Sequence, residues 1–400
     1  MAIYAYCGMW GEHGGNDGLW VHTYDVATGA LGEGRQIDAD IRTSNCYVDH
    51  ERGLLYMVDE IDAPFDKDAG IGSGGGGNVW VWQVDAATGN LTLMQKAKSF
   101  GSNPSMFTLS PDKRYGVCSI HGAAPMSCQT ERDESGAWRI VPGYADAPIV
   151  LFRMNDDGTI GDVLDAYRAT DKALSHMHSC TWAPSGNFFI ANDKGTGAIS
   201  TLRITADEKL ELVGEPYRTG AGDKPRYVRF HPSKPWCYVN YEAANRLDAF
   251  SYDDEGRLSL INSDLVVPEE QRSSVEKDWR FESQDMKISA DGSTVYSCFR
   301  GSGDNPTGDG GREHVGGFQG VAVYAVNQDD GSVATVQRCE FDDIYWPRGC
   351  DISPDGRFLL VGSLYSDKVA TLAVAADGTL SDTGLRADQD TCSSVTLYEA

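Results

Sequence analysis

Short apolar runs, broken every few positions by Pro, Gly, Asp or Ser, recur along the whole chain. The clearest case is 224–242, KPRYVRFHPSKPWCYVNYE. It predicts two β-runs, 226–230 and 236–240, joined by the turn His-Pro-Ser-Lys-Pro. Val, Tyr, Phe and Trp suit a half-buried pleated ribbon, and Pro and Ser set the turn. In an antiparallel hairpin the residues farthest from the turn meet at its open end, so Arg226 and Glu242 are expected to lie side by side.

Relatives of this turn recur at 49–53, 110–114, 183–187, 289–293 and 353–357, each flanked by β-runs. A second hairpin follows each one, with a polar turn: 79–84 with 85–89, 149–154 with 155–158, 321–326 with 327–331. Four strands per unit, repeating at about 48 residues and stretched by insertions, is the pattern of propeller blades. Six complete units begin near 41, 102, 175, 223, 281 and 345. The first forty residues hold three strands, 3–9, 19–24 and one near 34–37, and 392–399 is a lone strand. Together they make a seventh blade, closed by both termini, which removes the exposed edges of an open fan. The expected fold is all-β, a seven-bladed β-propeller with four antiparallel strands per blade. Because no linker-like break interrupts the repeats, 1–400 reads as one domain rather than two.

Composition narrows the partners. With 41% hydrophobic residues the chain can bury a large core, and 45 glycines fit frequent tight turns. A formal charge of −25 argues against nucleic acid. An anion site would then need its own cluster of Arg or Lys. The N-terminus lacks a basic and an apolar segment, and no run approaches about 18 apolar residues, so no leader and no membrane span is expected. Ten cysteines without a CxxC pair fall mostly in strands and read as reduced core thiols of a cytoplasmic protein.

The candidate chemistry follows from the hairpin length. The first strand of each blade lines the central channel. Seven residues before each first turn stand Ser44, Ser105, His178, Arg226, Gln284 and Arg348, and nine after it Glu60, His121, Lys194, Glu242, Arg300 and Leu364. Both sets fall at open hairpin ends and so crowd one mouth of one channel. Most are ionisable and of mixed sign. A solvated rim would be polar too, but it would not need three arginines facing two glutamates and two histidines at a fixed offset. Long insertions follow Glu60 (62–77), His121 (122–147) and Arg300 (301–319), and a fourth (268–283) precedes Gln284. All emerge at that same mouth, where they could cover a small-molecule cavity.

Other signals carry less. His176 and His178 lie on one side of a strand with His121 near, but no carboxylate or thiol stands at a fixed spacing, so no metal is expected. The glycine run at 70–77 lacks the Gly-Lys-Ser/Thr of a phosphate loop and reads as a lid hinge. His231 is a structural turn residue, and no GxSxG elbow is present.

Three stretches, Pro-Arg-x-x-x-Phe-His-Pro at 225–232 leading to Glu242, Arg300-Gly after Val295-Tyr-Ser-Cys, and WPRGCDISPDGRFLLV at 346–361, resemble the seven-bladed lactonase family. Its members include propeller-type bacterial 6-phosphogluconolactonases and the fungal carboxy-cis,cis-muconate cyclase. The resemblance covers nearly the whole chain and implies catalysis by His178, Arg226, Glu242 and Arg300, without a cofactor. The chain departs from the family at Tyr227, where a His is usual, and in the long loop after His121. Chemistry gives each residue a role. Glu242 or His178 would carry the proton, and Arg226, Arg300 and Arg348 would hold an anionic group and offset developing negative charge. His121, Lys194, Glu60, His176 and Gln284 would complete substrate binding. The expected activity is hydrolysis of a small anionic lactone. A lactonising cycloisomerase acting on a carboxylate, or a non-catalytic binding propeller, are the alternatives; the oligomeric state is not readable.

Overall fold

A computed structural model describes residues 2–10, 17–61, 77–122, 127–143, 147–169, 174–220, 222–267, 280–302, 304–306, 312–314 and 318–400. The described regular structure is strand throughout. Seven antiparallel four-stranded sheets form the blades of a β-propeller. Blade 1 pairs Arg35–Asp38, Asp17–Tyr24, Ile3–Trp10 and the C-terminal Cys392–Glu399 in that order. Blades 2 to 7 start with the strands Thr43–Asp49, Pro104–Leu109, Met177–Trp182, Pro225–Phe230, Arg280–Ile288 and Pro347–Ile352. In blade 4 an extra short strand, Tyr217–Arg218, also pairs with Ala198–Ile204. Each first strand packs on the first strand of the next blade, and Cys392–Glu399 closes the circle between Pro347–Ile352 and Thr43–Asp49. The expected closure by both termini is therefore the observed one, with Ile3 opposite Glu399 and Cys7 opposite Val395.

The turns form where the sequence places them because their side chains bond their own backbone. Ser353 donates to Asp355 at 2.7 Å while Asp355 accepts from the Arg357 amide at 3.1 Å, and Ser110–Asp112 and Ser289–Asp291 repeat the arrangement. Neighbouring blades are tied by a second recurring bond. A hydroxyl on one blade donates to the carbonyl of a turn glycine on the next: Tyr6 to Gly89 (3.0 Å), Tyr56 to Gly158 (2.7 Å), Thr201 to Gly256 (2.7 Å), Tyr296 to Gly378 (3.0 Å) and Thr371 to Gly29 (3.0 Å). These glycines have positive φ, and a Cβ at each would run into a side chain of the blade behind. Apolar clusters fill the gaps between blades, as where Tyr56, Phe107 and Phe152 meet between blades 2 and 3.

The first hairpin of every blade shares one irregularity. Its pairing shifts near the open end, between Thr43/Cys46, Pro104/Met106, Met177/Ser179, Pro225/Val228, Ser283/Met286 and Pro347/Cys350. Ser44, Ser105, His178, Arg226, Gln284 and Arg348 all fall inside these bulges. A bulge frees a residue from its ladder and re-aims its side chain. This corrects the simple hairpin register: Arg226 and Glu242 are not backbone partners. Pro225 pairs with Tyr241, and the Glu242 amide donates to the Lys224 carbonyl at 2.8 Å.

Two of the expected mouth insertions carry small sheets of their own, Ser127–Arg132 with Trp138–Gly143 and Asp304–Pro306 with Arg312–His314. The stretches 62–76 and 268–279, expected to cover the mouth, and most of the glycine run expected to act as a hinge lie outside the described residues.

Candidate active site

The bulges deliver one buried electrostatic cluster to the mouth. Glu242, at the end of Trp236–Tyr241, receives Lys194 on both carboxylate oxygens at 2.9 and 2.8 Å, and Arg226 Nη1 on Oε2. Lys224 stands 3.7 Å from Oε1. Arg300 bonds Glu282 through Nε and Nη2 at 2.7 and 2.6 Å and lies 3.6 Å over the Trp346 ring. Arg348 reaches Glu60 at 3.3 Å, joining blade 7 to blade 2. These pairs belong to one site: Arg226 lies in the field of Glu60 and Glu282, and Arg300 in that of Arg226 and Glu242.

Three histidines line the neighbouring wall. The His121 ring lies 4.9 Å from His176 and 5.9 Å from His178, and His178 meets Tyr227 edge-on at 5.1 Å. His176 donates through Nδ1 to the His121 carbonyl at 2.7 Å, and His121 through Nδ1 to the Gly122 carbonyl at 3.0 Å. His178 is buried, and its Nδ1 has no hydrogen-bond partner among the described residues.

Electrostatics set the protonation states. Burial, with Arg226 and Lys194 close by, pushes the His178 imidazolium well below the ordinary histidine value. Burial and Lys194 push His121 down to about 3. Both rings are neutral near pH 7. Burial alone would raise the Glu242 carboxyl, but Lys194 and Arg226 outweigh it and hold Glu242 well below the usual carboxylate range. Burial also lowers the Lys194 ammonium, against the pull of Glu242. The result is an ionised carboxylate clamped by cations beside a neutral imidazole.

Residues 115–397 match the family described as lactonase, 7-bladed beta-propeller. The chain belongs to the seven-bladed β-propeller lactonases.

Among its relatives are a 6-phosphogluconolactonase from Bacillus subtilis, 22% identical over 88% of this chain and 85% of that protein, and one from Formosa agariphila, 20% identical over 88% and 87%. The periplasmic gluconolactonase of Pseudomonas aeruginosa superposes with a TM-score of 0.78 at 18% identity, covering 99% of both chains.

Within this lactonase fold the predicted residues divide. His178, Arg226, Glu242, Arg300, Lys194, His121, His176, Arg348 and Glu60 come together at the mouth. Gln284, at the matching bulge position, is fully buried: its Nε2 bonds the Ser283 carbonyl at 3.0 Å, its main-chain carbonyl accepts from Asn240 at 2.8 Å, and its Oε1 has no hydrogen-bond partner among the described residues. Among the described residues no group of His, Cys, Asp or Glu is arranged to hold a metal ion. His231 does cap its turn, accepting from the Ser233 and Lys234 amides at 3.2 and 3.1 Å.

Sequence reasoning missed Glu282, Trp346 and Lys224. All three stand two residues before an entrance position, as His176 does. In the bulged hairpin that position backs onto the exit residue, as in the Lys194 amide to His176 carbonyl bond at 3.0 Å. Counting nine residues back from the turn as well as seven would have found them. Two further clefts lie elsewhere, the second with Lys287 3.4 Å from Asp351 in its lining. One of about 440 Å³ lies between blades 1 and 7, and one of about 500 Å³ lies beside the first turns of blades 6 and 7.

Proposed function

We propose that the protein is a cofactor-independent lactonase that hydrolyses a small sugar-acid lactone at this mouth. The observation that carries the reading is the clamped carboxylate Lys194–Glu242–Arg226 against the neutral, buried His178. Membership of the lactonase family and relatives described as 6-phosphogluconolactonases and a gluconolactonase support the reaction class.

In this reading His178 takes the proton from a water as the water oxygen attacks the lactone carbonyl. Glu242 is a poor candidate for that task, because protonating it would strand two buried cations. Its part is to hold Lys194 and Arg226 in place. Arg226, whose buried Nε has no hydrogen-bond partner among the described residues, stabilises the tetrahedral oxyanion. Collapse breaks the ring C–O bond, and the leaving alkoxide takes the proton back from His178. The products are the open hydroxy acid and the regenerated neutral imidazole. A depressed His178 is a weak base, which suits a substrate that also opens slowly in plain water.

The test is acid release from a panel of sugar-acid lactones at neutral pH, corrected for spontaneous opening. Turnover is expected, and His178→Asn should lower kcat by about 10²–10⁴-fold, the usual scale for a general base. Glu242→Gln and Arg300→Ala should each lower kcat/KM by at least about tenfold with the fold retained, since each removes a charged group of the site. Rates equal to the spontaneous one for every lactone, or unchanged rates in all three variants, would sink the proposal.

A further inference from the structure

The sign and pairing of the mouth charges narrow the substrate further. Among the described residues, four inward cations of the mouth rest on three carboxylates of this chain: Lys194 and Arg226 share Glu242, Arg300 holds Glu282, and Arg348 holds Glu60. A fifth described cation, Lys224, sits at the rim with its side chain 41% exposed, where solvent screens it. Asp193 adds a fourth carboxylate, fully buried one residue from Lys194 and accepting from the amides of His176, Gly195 and Thr196 at 2.8, 3.0 and 3.2 Å. A desolvated phosphate dianion needs cations that are not already compensated, and here four inward cations are set against four carboxylates, Glu242, Glu282, Glu60 and Asp193. The sequence adds a second, independent observation. By sequence, each of the four insertions expected at the open hairpin ends, 62–77, 122–147, 268–283 (Glu282 included) and 301–319, carries two more acidic than basic residues. Together with the chain's charge of −25 they give an approaching anion a repulsive field.

The same pairs suit a different group. A guanidinium beside a carboxylate presents donors and an acceptor a few ångströms apart, which is what a hydroxyl, both donor and acceptor, binds. Three such pairs, from Arg226–Glu242, Arg300–Glu282 and Arg348–Glu60, surround one mouth, and the Trp346 ring under Arg300 adds an apolar surface.

We infer that the site takes a polyhydroxylated lactone without a phosphate group and discriminates against the phosphate monoester of the same sugar. The inference rests on the lactonase reading and says which lactone the site prefers.

Two lactones differing only by the phosphate, D-glucono-1,5-lactone and its 6-phosphate, decide it. Their kcat/KM values would be compared on the full chain at low and high ionic strength, again above the spontaneous rate. Gluconolactone is expected to be at least tenfold the better substrate, with the gap narrowing as salt screens the repulsion. Glu282→Gln, which removes one carboxylate, should shift the ratio toward the phosphorylated lactone. Equal or faster opening of the phosphorylated lactone overturns this inference and leaves the lactonase reading standing. So does a gap unmoved by both salt and Glu282→Gln. If neither lactone opens faster than in buffer, the lactonase reading falls and this inference with it.

Discussion

At the scale of single residues, the site works by holding charge states fixed rather than by poising a group near neutrality. His178 and His121 are kept neutral by burial and by nearby cations, and Glu242 is kept ionised by Lys194 and Arg226. His178, His121 and Glu242 should therefore not change state between about pH 5 and 8, where an ordinary histidine titrates. The expected kcat/KM profile for lactone opening, after subtraction of the base-catalysed background, is flat across that range. An inflection near pH 6.5 would show that His178 titrates normally and that its cationic neighbours are misassigned. The same shifts act on stability. Unfolded, the histidines titrate near 6.5, whereas folded His121 resists protonation down to about 3. Between those values the unfolded chain binds the extra proton, so stability falls as pH drops through that window, by up to about 1.4 kcal/mol per pH unit per group. Glu242 acts in the same direction below its ordinary value of 4.5. His121→Gln should flatten the fall of Tm between pH 6.5 and 4 relative to wild type; an unchanged slope would count against a neutral buried His121.

At the scale of the element, the bulged hairpin makes the mouth. Its exit strand must leave the sheet tightly. After Lys194 this is done at Gly195, where a Cβ would sit 1.6 Å from the Leu174 carbonyl oxygen and 2.8 Å from the His176 ring. Backbone on one side and a site histidine on the other leave no room for relaxation. Gly195→Ala should therefore displace Lys194 from Glu242. It is expected to cost about 1–3 kcal/mol of stability, the usual scale for overpacking, and to lower kcat/KM more than it lowers Tm would suggest. Wild-type kinetics in this variant would mean that Lys194 keeps its place by other contacts. The open hairpin ends were legible in the sequence because turn and strand length are local properties. The bulges were not, because they show only in how the two strands pair, and for that reason Arg226 and Glu242 meet through side chains instead of across a ladder.

At the scale of the whole molecule, ring closure is what turns seven local mouths into one. Cys392–Glu399 is the inner strand of blade 1 and packs between the first strands of blades 7 and 2. Its loss would bare the inner edge of Ile3–Trp10 and leave Arg348 and Glu60 without a shared wall. Truncation after residue 391 is expected to abolish cooperative unfolding and to give aggregating protein. A soluble, cooperatively melting truncation with lactonase activity would show that the circle closes without its terminal strand.

The sequence by itself determined the blade count, the seam formed by both termini and the positions that reach the mouth, since each depends on turn chemistry and strand length within about fifty residues of chain. It also carried the lactonase resemblance. Only the tertiary structure decided which charges pair. Arg348 meets Glu60, 288 positions away, and Arg300 meets Glu282, which no count had marked. It alone made His178 neutral and Glu242 a fixed anion, because burial and field are sums over every blade around the channel, and no hairpin contains that sum.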